Sequence, residues 1–160
     1  MNREWVTLTG LSVLVILLQY LFIDKIAIVG ISADIILIPI SAVALQYGRM
    51  KGMIYGFGVG FLLDIMTGFW GVNTLAKTIA GFIWGSFFVD SKPLIGWYQR
   101  QYLQVFLFGA LFHFAISSGL NYYHLSTSFG QFLFKYVLGQ TVYTFVFTYL
   151  FAMYFWTRKR

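Results

Sequence analysis

Four charged side chains stand inside or at the edge of long apolar runs of this sequence: Asp34, Asp64, Lys77 and Lys135, with His113 as a fifth polar group. A charge among hydrocarbon side chains is costly unless a partner offsets it, so each marks a functional hypothesis with a partner to be named. The chemistry open to them is narrow. The chain has no cysteine, which removes thiol nucleophiles, thiolate metal sites and disulfides. Its two histidines, His113 and His124, belong to no H-E-x-x-H pattern, and no G-x-S-x-G elbow is present. The glycine-rich stretch from Gly56 to Gly60 lacks the lysine of a phosphate-binding loop and the spacing of a dinucleotide site, so it reads as packing. No cofactor and no catalytic residue is expected.

The elements that position these residues follow from composition. Of 160 residues, 59% are hydrophobic and 10% charged, with a mean hydropathy of +0.77. Soluble domains carry roughly 25% charged residues, so a water-facing surface is not available to this chain. A spanning helix needs about 20 apolar residues. Six runs approach that length, at 5–23, 31–47, 53–66, 72–89, 102–120 and 132–156, and predict one all-α transmembrane domain of six helices. The runs exceed the 9–11 residues of a barrel strand and do not alternate. The first run has no small-x-small cleavage site and is too long for a signal peptide. In the second run Pro39 is expected to kink or shorten the helix.

The basic residues set the orientation. Arg3, then Arg49 and Lys51, then Lys92 and Arg100, then Arg158, Lys159 and Arg160 fall at one side of a six-span chain, against Lys25 on the other. The positive-inside rule therefore puts both termini in the cytoplasm. The net charge of +6 belongs to this asymmetry and not to nucleic acid.

Within the third run Gly52, Gly56, Gly60, Asp64 and Gly68 recur every four residues; in the fourth, Asn73, Lys77, Gly81 and Gly85 do the same. Each set shares one helix face, and small residues at this spacing let two backbones approach closely. A hairpin closed by Thr67 to Gly71 predicts an Asp64–Lys77 contact at its outer end, as a structural staple or as part of a site. Asp34 is expected to cap the second helix. Gln131, Lys135, Gly139 and Tyr143 are expected on one face of the sixth, and His113 with Gly109 and Ser117 on one face of the fifth, as a packing residue. Asp34, Asp64, Lys77 and Lys135 all map to the outer half, as a partner surface or the mouth of a pocket.

The stretch from Ala33 to Phe88 resembles the bacterial rod shape-determining protein MreD family. The resemblance is carried by Asp34-Ile35-Ile36-Leu37-Ile38, by Tyr47-Gly48-Arg49 with Gly52, and by Gly56-Phe57 and Gly60-Phe61-Leu62-Leu63-Asp64. After a break at Gly68 it continues in Gly71-Val72-Asn73-Thr74-Leu75-Ala76-Lys77-Thr78 and Ala80-Gly81. Ala33 stands where the family has proline and Val72 where it has leucine. The first, fifth and sixth runs agree only in length and hydropathy. The resemblance implies a non-catalytic inner-membrane subunit of the cell-elongation complex, bound to MreC. Through MreC or directly it is linked to MreB filaments, to the glycosyltransferase RodA and to RodA's partner transpeptidase. It also implies a fold like that of the substrate-binding subunits of energy-coupling-factor vitamin transporters. The glycine face suits the chain's own fourth helix, a second copy in a homodimer, or MreC, and these stay open.

Two other functions fit the same size. A vitamin-capture subunit usually carries an Ala-x-x-x-Ala pattern in its first span, whereas 5–23 contains no alanine. A small channel or carrier using the charged cluster finds no support in an inverted repeat.

Overall fold

A computed structural model describes residues 3–21, 25, 27, 30–68, 71–89, 99–121 and 128–157. Lys92, His124, the 158–160 cluster and the end of the first run at 22–23 lie outside them. The described residues are helical with no extended strand. The helices are α1 (Arg3–Leu21), α2 (Leu37–Tyr47), α3 (Arg49–Thr67), α4 (Val72–Gly85) and α5 (Gln99–Asn121), then a short α6 (Phe129–Gln131). A π-helical stretch (Phe132–Gly139) and α7 (Gln140–Thr157) follow α6 without a break. Two helical stretches, Gln99–Asn121 and Phe129–Tyr154, are long and apolar enough to cross a membrane.

Glycine decides where these helices start and stop. Gly48 (φ 86°) breaks the chain between α2 and α3, and Gly68 (φ 74°) ends α3 in the left-handed region with its N–H on the Asp64 carbonyl. The run expected from residue 31 turns helical only at Leu37. Residues 30–36 are non-helical, and Pro39 sits at the third position of α2, where its missing N–H costs little. At 11 and 14 residues, α2 and α4 are only about 16 and 21 Å long.

The pair α3–α4 is the most intimate contact in the fold. A Cβ on Gly52 would lie 2.7 Å from the Gly81 carbonyl oxygen, and one on Gly60 2.5 Å from that of Asn73. Gly56 likewise lies against the Lys77 carbonyl, and Gly85 against the backbone of Arg49. Antiparallel backbones therefore touch where the side chains are hydrogen atoms, the small-residue packing that membrane helices favour. The glycine face is occupied by the chain's own α4. Next to it, Trp84 covers Gly109 of α5, stacks on Phe106 at 5.4 Å and donates its Nε1–H to the Val105 carbonyl. A core of Leu37, Ile40, Ala44, Ala80, Tyr102 and Ala110 fills the space between α2, α4 and α5.

Beside this apolar core, polar side chains are buried and large apolar ones exposed. Ser41, Asp64, Lys77, His113, Thr141, Thr144 and Thr148 are buried. Ile54, Phe57, Phe61 and Ile65 of α3, Phe108 and Phe112 of α5, and Val142, Val146 and Leu150 of α7 are exposed.

Candidate functional site

The C-terminal ends of α1, α3 and α5 and the N-terminal ends of α2 and α4 meet at one end of the bundle, around a cavity of about 470 Å³. The non-helical segment before α2 forms part of its wall, with Ser32, Ala33 and Asp34. Backbone outside a helix must find other partners when it leaves water. Here side chains from opposite ends of the sequence supply them. Gln19 of α1 donates Nε2–H to the Ala33 carbonyl at 2.6 Å, and its Oε1 accepts from the Ile35 N–H at 3.0 Å. Thr144 of α7 accepts from the Asp34 N–H at 2.9 Å. The segment is thereby clamped on both sides of Asp34.

The carboxylate so presented meets α4 and α5. Lys77 donates Nζ–H to Asp34 Oδ2 at 2.5 Å and to Asn73 Oδ1 at 3.4 Å. His113 Nε2 lies 3.5 Å from the same Asp34 oxygen. Asp34 Oδ1 accepts from the Ile36 N–H at 3.2 Å, so the carboxylate also caps the turn leading into α2. Lys77 and His113 are buried, whereas the Asp34 side chain keeps 18% of its surface exposed toward the cavity. Asp34, Lys77 and His113 thus tie α2, α4 and α5 together at the cavity floor.

The predicted Asp64–Lys77 contact is not formed, and the register explains why. Gly56 is level with Lys77 in the α3–α4 hairpin, and Asp64 lies eight residues further along α3. At 1.5 Å per residue that is a separation of about 12 Å along the axis, too far for a salt bridge. Asp64 instead caps α4 from outside. Its carboxylate accepts from the N–H groups of Gly71 (3.0 Å), Asn73 (3.0 Å) and Thr74 (2.8 Å) and from the Thr74 hydroxyl (2.5 Å). Gly71 at the N-cap has no side chain to do this, and the start of a helix favours an anion. The compensation that hydropathy demanded of a cation comes from backbone donors.

Lys135 stands apart from these groups. Its ammonium is 5.4 Å from the Tyr136 ring and beside Gly30, and it does not line the cavity. The i→i+5 bonding of the π stretch displaces the expected four-residue face. Gly139 lies under Ile31, while Tyr136 and Gln140 reach the cavity wall. Gln131 is exposed and Tyr143 half-buried. His113 is buried beside Gly109's helix face as expected, but it also joins the charged group. Gln19 and Thr144 were legible only as isolated polar residues in apolar runs; no spacing rule links them to Asp34. Among the described residues no His, Asp and Glu cluster suits a metal.

Compared with protein-family models, with curated proteins and with solved structures, the chain matches none.

Proposed function

We propose that the chain is a multi-pass protein of the bacterial inner membrane, crossing it six times with both termini in the cytoplasm. In this reading it is an MreD-type, non-catalytic subunit of the cell-elongation complex that binds MreC and, with it, RodA, the partner transpeptidase and MreB. The observation that carries the reading is that the residues of the MreD resemblance interlock physically. Gly52, Gly56 and Gly60 pack on the backbone of Gly81, Lys77 and Asn73, Asp64 caps the first turn of α4 at Asn73, and Asp34 holds Lys77. They form one unit, not scattered matches. The exposed apolar faces of α3, α5 and α7 suit a lipid surround. Arg49 over the Phe82 ring and Lys51 over the Tyr47 ring lie at the end of α3 opposite the cavity, where cations and aromatic rings suit a cytoplasmic interface. In this topology the cavity faces the periplasm. The short α2 and α4 then reach across the bilayer only with their non-helical flanks, a form tolerated where backbone lines a cavity.

A second reading, a substrate-capture subunit of a vitamin transporter, draws support from the cavity itself. The experiment that separates them is depletion in the source bacterium combined with affinity purification. Loss of rod shape and co-purification with MreC and RodA support the first reading. Normal morphology, with a vitamin retained on the purified protein, would replace it with the second.

A further inference from the structure

The cavity has the chemistry of a ligand site. Its floor carries the Asp34–Lys77 pair, whose charges cancel, and His113; the other lining side chains carry no acid or base that ionises in the ordinary pH range. Ser32, Asn73, Ser117, Ser118 and Gln140 offer hydroxyl and amide groups, and Phe114 and Tyr136 offer ring surface. Lys77 has three N–H donors and spends two on Asp34 and Asn73. His113 lines the same space, is buried, and its Nδ1 has no hydrogen-bond partner among the described residues.

Charge and size define that partner. A net charge brought into a space whose own charges already cancel would lose its hydration without a counter-ion, whereas an uncharged hydrogen-bonding molecule would not. At the 30 Å³ or so that a water-sized group fills in a liquid, 470 Å³ holds about sixteen non-hydrogen atoms. The geometry points to a binding site for an uncharged molecule or headgroup bearing several hydroxyl or amide groups, of the size of a single sugar ring with one substituent. The rings of Phe114 and Tyr136 suit the apolar face of such a ring, and the hydroxyl and amide groups of Ser32, Asn73, Ser117, Ser118 and Gln140 suit its hydroxyl edges. This site is independent of MreC binding, so its failure would leave the elongation reading untouched.

The test uses the full chain in lipid nanodiscs and three probes of similar size: N-acetylglucosamine (neutral), gluconate (anionic) and N-methylglucamine (cationic). Binding is followed by ligand-detected NMR and by thermal stabilisation. N-acetylglucosamine is expected to bind at millimolar concentration or tighter, and the two charged probes at least about tenfold more weakly. Ser117→Leu fills the cavity, and Gln140→Leu removes an amide from its wall. Each should weaken binding by about tenfold or more while the unliganded protein keeps its melting temperature. If one of them fails to fold, the other carries the test. A parallel arm places monoglucosyl diacylglycerol in the nanodisc and looks for it by native mass spectrometry. Retention of that lipid without binding of the free sugar assigns the source to a lipid headgroup and sustains the site. Absence of both, equal binding of a charged probe, or unchanged binding in the folded variants would overturn it.

Discussion

Removing the Lys77 ammonium should destabilise the protein, because it leaves the Asp34 carboxylate without its counter-charge. Lys77 is 1% exposed and its main partner, Asp34, is 18% exposed. Breaking a buried ion pair by deleting one member costs about 3–5 kcal/mol, because the remaining charge is left uncompensated. In Lys77→Met, Asp34 retains the Ile36 N–H and some access to the cavity, which places the expected loss near the lower bound, about 3 kcal/mol. At about 2–4 °C per kcal/mol for a chain of this length, the melting temperature falls by roughly 6–12 °C. The assay is heat-induced loss of the monodisperse peak of detergent-solubilised protein. The double variant Asp34→Asn with Lys77→Met removes both charges and should recover most of the loss, since an apolar or neutral replacement of a buried pair is often close to neutral. A double-mutant cycle on Asp34 and Lys77 should give a coupling above about 1 kcal/mol, and the same cycle on Asp64 and Lys77 less than about 0.5. A Lys77→Met protein as stable as its parent, or a larger coupling for Asp64 than for Asp34, would refute the assignment.

Alanine at Gly60 should separate α3 from α4 and cost at least 1–3 kcal/mol by overpacking against backbone, whereas alanine at Gly58, which meets nothing within 4 Å, should stabilise by up to about 1 kcal/mol; thermal scans of the two variants compare them directly. Asp64→Leu strips the start of α4 of its capping carboxylate and should lower stability by about 1–2 kcal/mol, with faster amide exchange at Asn73 and Thr74. Gln19→Leu leaves the Ala33 carbonyl and the Ile35 N–H unsatisfied at about 1–3 kcal/mol each; hydrogen exchange at Ile35 should rise well before global unfolding. A reporter fused at Lys51 should signal cytoplasm, and a periplasmic signal there would break the six-span topology.

How far the sequence could be read depended on whether the determining contacts repeat. The glycine series of α3 and α4 repeats every four residues, so its common face follows from helical geometry alone, and the structure places Gly52, Gly56 and Gly60 against the backbone of α4, and Gly81 and Gly85 against that of α3. The positions of the helices also follow the apolar runs closely, except where 30–36 is held out of α2. That exception is the source of the wrong ion pair. With residues 31–36 read as helix, Asp34 is a capping residue with no route to Lys77, and Asp64 becomes the nearest carboxylate in sequence. The unwound segment depends on Gln19 and Thr144, 15 residues before and 110 after Asp34, and contacts of that kind leave no periodic trace. The π stretch is equally silent, because nothing in Phe132–Gly139 distinguishes an i→i+5 turn from an ordinary one.

The glycine hairpin has a translational ambiguity that its neighbours remove. Because glycines recur every fourth position on α3 and at the end of α4, sliding α3 along α4 by one turn sets Gly52 opposite Gly85, Gly56 opposite Gly81 and Gly60 opposite Lys77, so three close approaches keep a glycine and only the last, Asp64 against Asn73, loses it. Packing therefore distinguishes the two registers only at the end of the seam, where Asp64 sits. The slide would carry Asp64 about 6 Å away from the three N–H groups it holds. The carboxylate thus acts as a vernier stop: a smooth, repeating interface supplies the adhesion, and one anion at the end of the track selects the notch.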